Sequence, residues 1–138
     1  MDAAMAQDTT WKECELASNA PERSISACSI LLTRPSNRAH AAAFHNRGLA
    51  FAAKGDLQKA VSDISAGIRL HPLGAYRWQE RGELYARQGK YQQAISDITQ
   101  AMRIDPTPRT FRFHSRAKAY LGLGDITGAI GISMKRSD

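Results

Sequence analysis

A segment that returns 34 residues later constrains this chain more than any other feature. FHNRGLAFAAKGDLQKAVSDISAGIRLHP, beginning at Phe44, comes back as WQERGELYARQGKYQQAISDITQAMRIDP, beginning at Trp78. The superposition sets Arg47 and Gly48 on Arg81 and Gly82, Gly55 on Gly89, Ala60 on Ala94, Asp63 on Asp97 and Pro72 on Pro106. A third copy, FHSRAKAYLGLGDITGAIGIS from Phe113, arrives one residue late, so the loop through Pro108 is expected to hold the extra residue. A period of this length belongs to stacked supersecondary units, each burying its apolar face on the next.

The matched positions predict a helix–turn–helix unit. Phe44, Gly48 and Phe51 stand at i, i+4 and i+7, on one helical face, and Trp78, Gly82 and Tyr85 repeat them. Phe113, Ala117 and Tyr120 follow in the third copy. Large, small, large suits two closely packed helices, the small residue letting the backbones approach. Gly55, Gly89 and Gly124 fall where the first helix must stop, in the left-handed conformation that glycine tolerates. Ala60, Ala94 and Ala129 mark the close crossing of the second helix, and Pro72 and Pro106 follow its end.

These spacings over residues 41–133 resemble the tetratricopeptide-repeat (TPR) signature, W-x2-L-G-x2-Y followed by A-x3-F, A and P. Arg47 and Arg81 replace the usual leucine, and Gly67 stands where alanine is usual. The resemblance implies an all-α solenoid of antiparallel helical hairpins wound as a right-handed superhelix. The expected organisation is a short flexible N-terminus over residues 1–7, then a single domain over 8–138. That domain divides into an N-terminal hairpin (8–33), repeats at 41–74 and 75–108, and an incomplete repeat at 110–138. Arg47 and Asp63, like Arg81 and Asp97, lie 16 residues apart, so a structural ion pair is expected within or between hairpins; the third copy has Arg116 but Ile132 at the acid's place.

The N-terminal hairpin is expected from two helical stretches, TTWKECELAS and PERSISACSILLTR, separated by Asn19-Ala20-Pro21. Cys14 and Cys28 flank Pro21 symmetrically, at positions that face each other in an antiparallel hairpin, so a disulfide is geometrically reasonable; two buried free thiols are the alternative. Two cysteines without a C-x-x-C pair make neither a metal site nor a redox motif. The W-x2-C, turn, I-x-x-C arrangement ahead of such repeats resembles a group of small exported bacterial TPR proteins. That resemblance, with a disulfide, implies a periplasmic or secreted protein, the alternative being a cytoplasmic one. Met1–Thr10 has neither a basic start nor an adequate apolar stretch, although Ala4-Met5-Ala6 is similar to a small-residue cleavage site.

TPR proteins present partner contacts on the first helix of each hairpin, along a concave groove. Carried over by position, the candidates are His45, Asn46 and Leu49; then Tyr76, Gln79, Glu80, Glu83 and Arg87; then Phe111, His114, Ser115, Lys118 and Leu121. Leu49, Glu80, Phe111 and Ser115 occupy positions where a clamp for a terminal carboxylate needs polar or basic groups, so that activity is not expected. The expected function is a noncatalytic scaffold binding a protein or peptide partner, with no cofactor and no catalytic residue. A formal charge of +6 favours acidic partners. The apolar fraction of 43% supplies a core, and no apolar run is long enough to span a membrane.

Arg109, Arg112, Arg116 and Lys118 surround Phe111 and Phe113, a basic and aromatic cluster of the kind that binds nucleic acid; base-reading helical repeats, however, run at another period. Ser115 and Lys118 match S-x-x-K, but its companion motifs are absent. Gly122, Gly124 and Gly128 fit no phosphate-loop spacing and are assigned to the turn between helices. His40, His45, His71 and His114 have no ligand spacing for a metal. The chain stops soon after Ile130, Ile132 and Met134 with no segment left to cover them, so homodimerisation through this C-terminal edge, a short last helix that folds back, and a missing covering segment are the competing expectations.

Overall fold

The structure, a computed structural model, describes residues 9–35 and 38–130. Among the described residues there are helices and turns but no strand. The helices are α1 (Thr9–Cys14), α2 (Pro21–Leu32), α3 (Ala39–Ala53), α4 (Leu57–Leu70), α5 (Ala75–Arg87), α6 (Tyr91–Ile104) and α7 (Thr110–Gly122). Residues 126–130 are helical again. Packing divides the chain into two compact units, with the boundary between Pro72 and Leu73.

In the first unit α1 packs on α2, α2 on α3 and α3 on α4. Pro21 opens α2, where its missing N–H costs nothing. The Cys14 and Cys28 sulfurs are bonded at 2.05 Å, both residues are fully buried, and Ala27, Leu31 and Ala43 complete this core. Ser24 Oγ donates to the Cys14 carbonyl at 2.6 Å, satisfying a buried hydroxyl beside the bridge. The helix expected to run on to Ser18 ends at Cys14 instead. Leu16 and Asn19 donate to the carbonyls three residues back, at 3.1 and 2.9 Å, tightening residues 15–19 into turns.

The α3–α4 hairpin shows why its glycines are where they are. A Cβ on Gly48 would stand 2.9 Å from Ile64 Cδ1 and 3.2 Å from the Ala60 carbonyl, so a larger residue there would force Ile64 to shift. Gly55 has φ +85° and closes a Schellman motif: Asp56 N–H donates to the Phe51 carbonyl, and Gly55 N–H to that of Ala52, both at 2.9 Å. Asp56 then caps α4 by accepting from Lys59 N–H at 3.2 Å.

The second unit repeats this geometry. A Cβ on Gly82 would meet Ile98 Cγ1 at 2.8 Å, and Gly89 has φ +76°. Helix α7 then packs on α6, with contacts to α5 as well. The α6–α7 loop, residues 105–109, is one residue longer than the α4–α5 loop, residues 71–74. That extra residue is the late arrival expected from the third copy. Asp105 in this loop accepts from Arg109 Nε at 2.8 Å and from Thr107 N–H at 3.2 Å, which holds its carboxyl below the usual carboxylate range.

Only one of the three glycines assigned to the last turn belongs there. Gly124, with φ +79°, makes it. Gly122 is the last residue of α7, where a Cβ would strike the Tyr91 ring at 2.5 Å. Gly128 lies in the helical stretch 126–130, close against the Tyr120 ring. The first seven residues, Ile132 and Met134 fall outside the described residues.

Candidate functional site

Both arginines that replace the repeat's leucine meet the acid 16 residues on, across their own hairpin. Arg47 reaches Asp63, and Arg81 reaches Asp97, each through Nε at 2.7 Å and Nη2 at 2.9 Å. This two-pronged pairing suits a planar guanidinium on a carboxylate. Arg47 also donates to Ser29 Oγ on α2 at 3.0 Å, linking hairpin to hairpin. Arg116 has Thr99 Oγ1 at 3.0 Å, while its buried Nε has no hydrogen-bond partner among the described residues; burial pushes its guanidinium down. These pairs tie the first helix of each hairpin to its second.

In the first unit, the candidates His45, Asn46 and Leu49 are all half-buried on α3. Asn46 Nδ2 lies 4.0 Å from Cys14 Sγ, so this residue faces the N-terminal hairpin.

In the second unit the candidates come together on α5 and α7. Glu83 Oε2 accepts from Gln79 Nε2 at 2.8 Å and from Ser115 Oγ at 3.0 Å. The second bond joins the two helices. Gln79, expected as a surface contact, is only 3% exposed and acts as a support for Glu83; the spacing that sets it on the face does not reveal how far neighbouring helices cover it. Burial, then the neighbouring charge of Glu83, raises the Glu80 carboxyl above its usual value. Tyr76 and Phe111 are about half exposed, with the Arg77 and Arg112 guanidinium carbons 4.6 and 5.4 Å from their ring centres. His114, Lys118, Arg87 and Leu121 are exposed.

An open cleft of about 540 Å³ lies on this unit. Glu83, Arg87, Ser115 and Lys118, four of the candidate residues, line it together with Ala86, Tyr91, Ile98 and Ala119. Ile98 and Ala119 are buried floor, and Tyr91 comes from the second helix of its hairpin. The small size of Ala86 and Ala119, and the glycine that admits the Tyr91 ring, were the available signals.

The fold turns part of the basic and aromatic cluster inward. Arg112 is 4% exposed and turns back to the end of α6, with Nη1 donating to the Asp105 carboxylate at 3.1 Å and its carbonyl at 3.3 Å. Arg109 is paired with the same carboxylate, and Phe113 is half-buried. Among the described residues no three His, Cys, Asp or Glu side chains gather as a metal site, and no helix is long and apolar enough to cross a membrane.

The tetratricopeptide repeat family profile matches residues 75–108. No match was found among curated protein sequences. Among solved structures, MamA superposes with a TM-score of 0.79 at 19% identity, over 94% of this chain and 78% of its own. A tetratricopeptide repeat protein from Parabacteroides merdae gives 0.76 at 17% identity, over 88% of this chain and 47% of its own. The second TPR of Spaghetti (RPAP3), bound to the HSP90 peptide SRMEEVD, gives 0.62 at 27% identity, over 66% of this chain and 83% of its own. The 34-residue period, the close glycine crossings of two hairpins and these likenesses agree: residues 75–108 match a tetratricopeptide repeat, and the chain has the fold of tetratricopeptide-repeat structures.

Proposed function

We propose that this chain is a noncatalytic interaction module that docks a peptide or helix of a partner protein on the α5–α7 face. The observation that carries the reading is the cleft lined by Glu83, Arg87, Ser115 and Lys118, in which the Glu83–Ser115 bond fixes the register of the two helices. Small and apolar side chains form its floor and polar ones its rim, the composition of a recognition site. The peptide bound to the Spaghetti repeat supports the mode of use. A buried disulfide supports a working place in an oxidising compartment, periplasmic or extracellular.

Affinity capture from native extract tests the function, comparing wild type with Glu80→Lys/Glu83→Lys/Lys118→Glu. A protein retained by the wild type and lost by the variant is expected. Equal capture by both contradicts the α5–α7 assignment.

A second reading is self-association through the C-terminal edge, favoured by the exposure of Leu121, Leu123, Ile126 and Ile130 at 55, 42, 62 and 56%. Light scattering at high concentration tests it; a monomer mass rejects it.

A further inference from the structure

The cleft on the second unit is chemically uneven, and the unevenness specifies what it accepts. Its apolar lining is Ala86, Ala119 and the buried Ile98, with Tyr91 beside them. Small residues in that lining leave room for a bulky side chain from outside. Helices α5 and α7 run in the same direction, since α7 begins beside the end of α6 (Arg112 to Ala101) and ends beside its start (Gly122 to Tyr91). The Glu83–Ser115 hydrogen bond sets their register. Arg87, four residues beyond Glu83, and Lys118, three beyond Ser115, therefore lie one turn further on at the same level. Both line the cleft, and both are exposed.

The acidic groups sit on the opposite side of that level. Glu83 is held by two donors, and Glu80 lies beside it on α5. A docked segment thus meets carboxylates first and cations one turn later. The formal charge of +6 over the whole chain adds a long-range pull on acidic partners.

We propose that the cleft takes one bulky apolar side chain from an acidic internal segment of a partner protein, with a side-chain carboxylate of that segment meeting Arg87 and Lys118. This rests on the α5–α7 face being the docking surface. Glu83 keeps an oxygen for a partner N–H and repels a second acid, which orients the segment.

The test is selection from a randomised peptide library on three proteins: wild type, Ala86→Phe to fill the cleft, and Arg87→Glu/Lys118→Glu to invert its rim. Wild type is expected to enrich peptides with a bulky apolar residue near Asp or Glu. Their affinity is expected to fall about tenfold or more with either variant, as a lost anchor or a like-charge contact does. The rim variant is expected to select Lys or Arg in place of the acid, a readout that misfolding cannot produce. Peptides that depend on the cleft but lack the acidic residue overturn this inference and leave the docking face standing. Peptides indifferent to Ala86→Phe and to the rim variant, or no binders on wild type, overturn both.

Discussion

Replacing Asp97 by asparagine probes the ion pair that organises the second unit. Its side chain is 6% exposed and that of Arg81 is 18%, so the pair is largely, not wholly, out of water. Asparagine keeps the shape, but only its oxygen can accept, and its NH2 is pressed against the second guanidinium N–H that the carboxylate now receives at 2.9 Å. Breaking a fully buried pair costs about 3–5 kcal/mol; with the arginine partly hydrated and stacked 5.1 Å from the Trp78 ring centre, about 2–3 kcal/mol is expected. For a chain of 138 residues this corresponds to roughly 7–10 °C in Tm. The assay is urea and thermal unfolding followed by fluorescence in a Trp11→Phe background, where Trp78 is the remaining tryptophan and reports on its own hairpin. Removing both charges with Arg81→Met/Asp97→Leu is expected to recover most of the loss, because apolar replacement of such a pair is often close to neutral. A single Asp97→Asn variant within about 0.5 kcal/mol of the parent, the range of an ordinary surface change, refutes the reasoning.

Reducing the Cys14–Cys28 bridge, or replacing both residues by serine, should cost about 3 kcal/mol of stability for a sequence separation of 14, and titration of denatured, unreduced protein should find no free thiol. Gly89→Ala should cost about 1–2 kcal/mol through its φ of +76° alone, since nothing lies within 4 Å of the added Cβ; an unchanged urea midpoint would reject the left-handed cap. Glu80→Gln should stabilise the protein at neutral pH. A carboxyl raised in the folded state contributes most below its unfolded value, near 4.5, and that contribution is lost as pH rises through the folded value. The advantage of the glutamine variant should therefore shrink in acid, and a constant gap in Tm across pH would contradict the assignment.

Much of this architecture was legible because each repeat solves the same local problem. Gly55, Gly89 and Gly124 announce left-handed caps, and all three have positive φ. The spacing of Arg47 and Asp63 fits one face-to-face contact in a hairpin, and the same contact recurs at Arg81 and Asp97. What was not legible depends on neighbours distant in the chain. Gly122 looked like a turn residue because nothing local shows that the Tyr91 ring comes against it. Arg112 looked like part of a basic patch because its turn back to Asp105 depends on how α7 docks on α6. Gln79 carries the right spacing for a surface contact but is covered, and Ala86 is too plain a residue to signal a cleft. The third hairpin follows the rule least closely, with no acid at the place of Asp97 and an exposed row of apolar residues beyond α7.

The central claim, that partners dock on the α5–α7 face, is tested most directly by placing a photo-cross-linking residue at Lys118 or, as a control, at the exposed Gln93 on α6. After irradiation in native extract, the account predicts a discrete adduct from position 118 that disappears when Ala86→Phe fills the cleft, and none from position 93. Adducts formed equally from both positions, or from 93 alone, would contradict it.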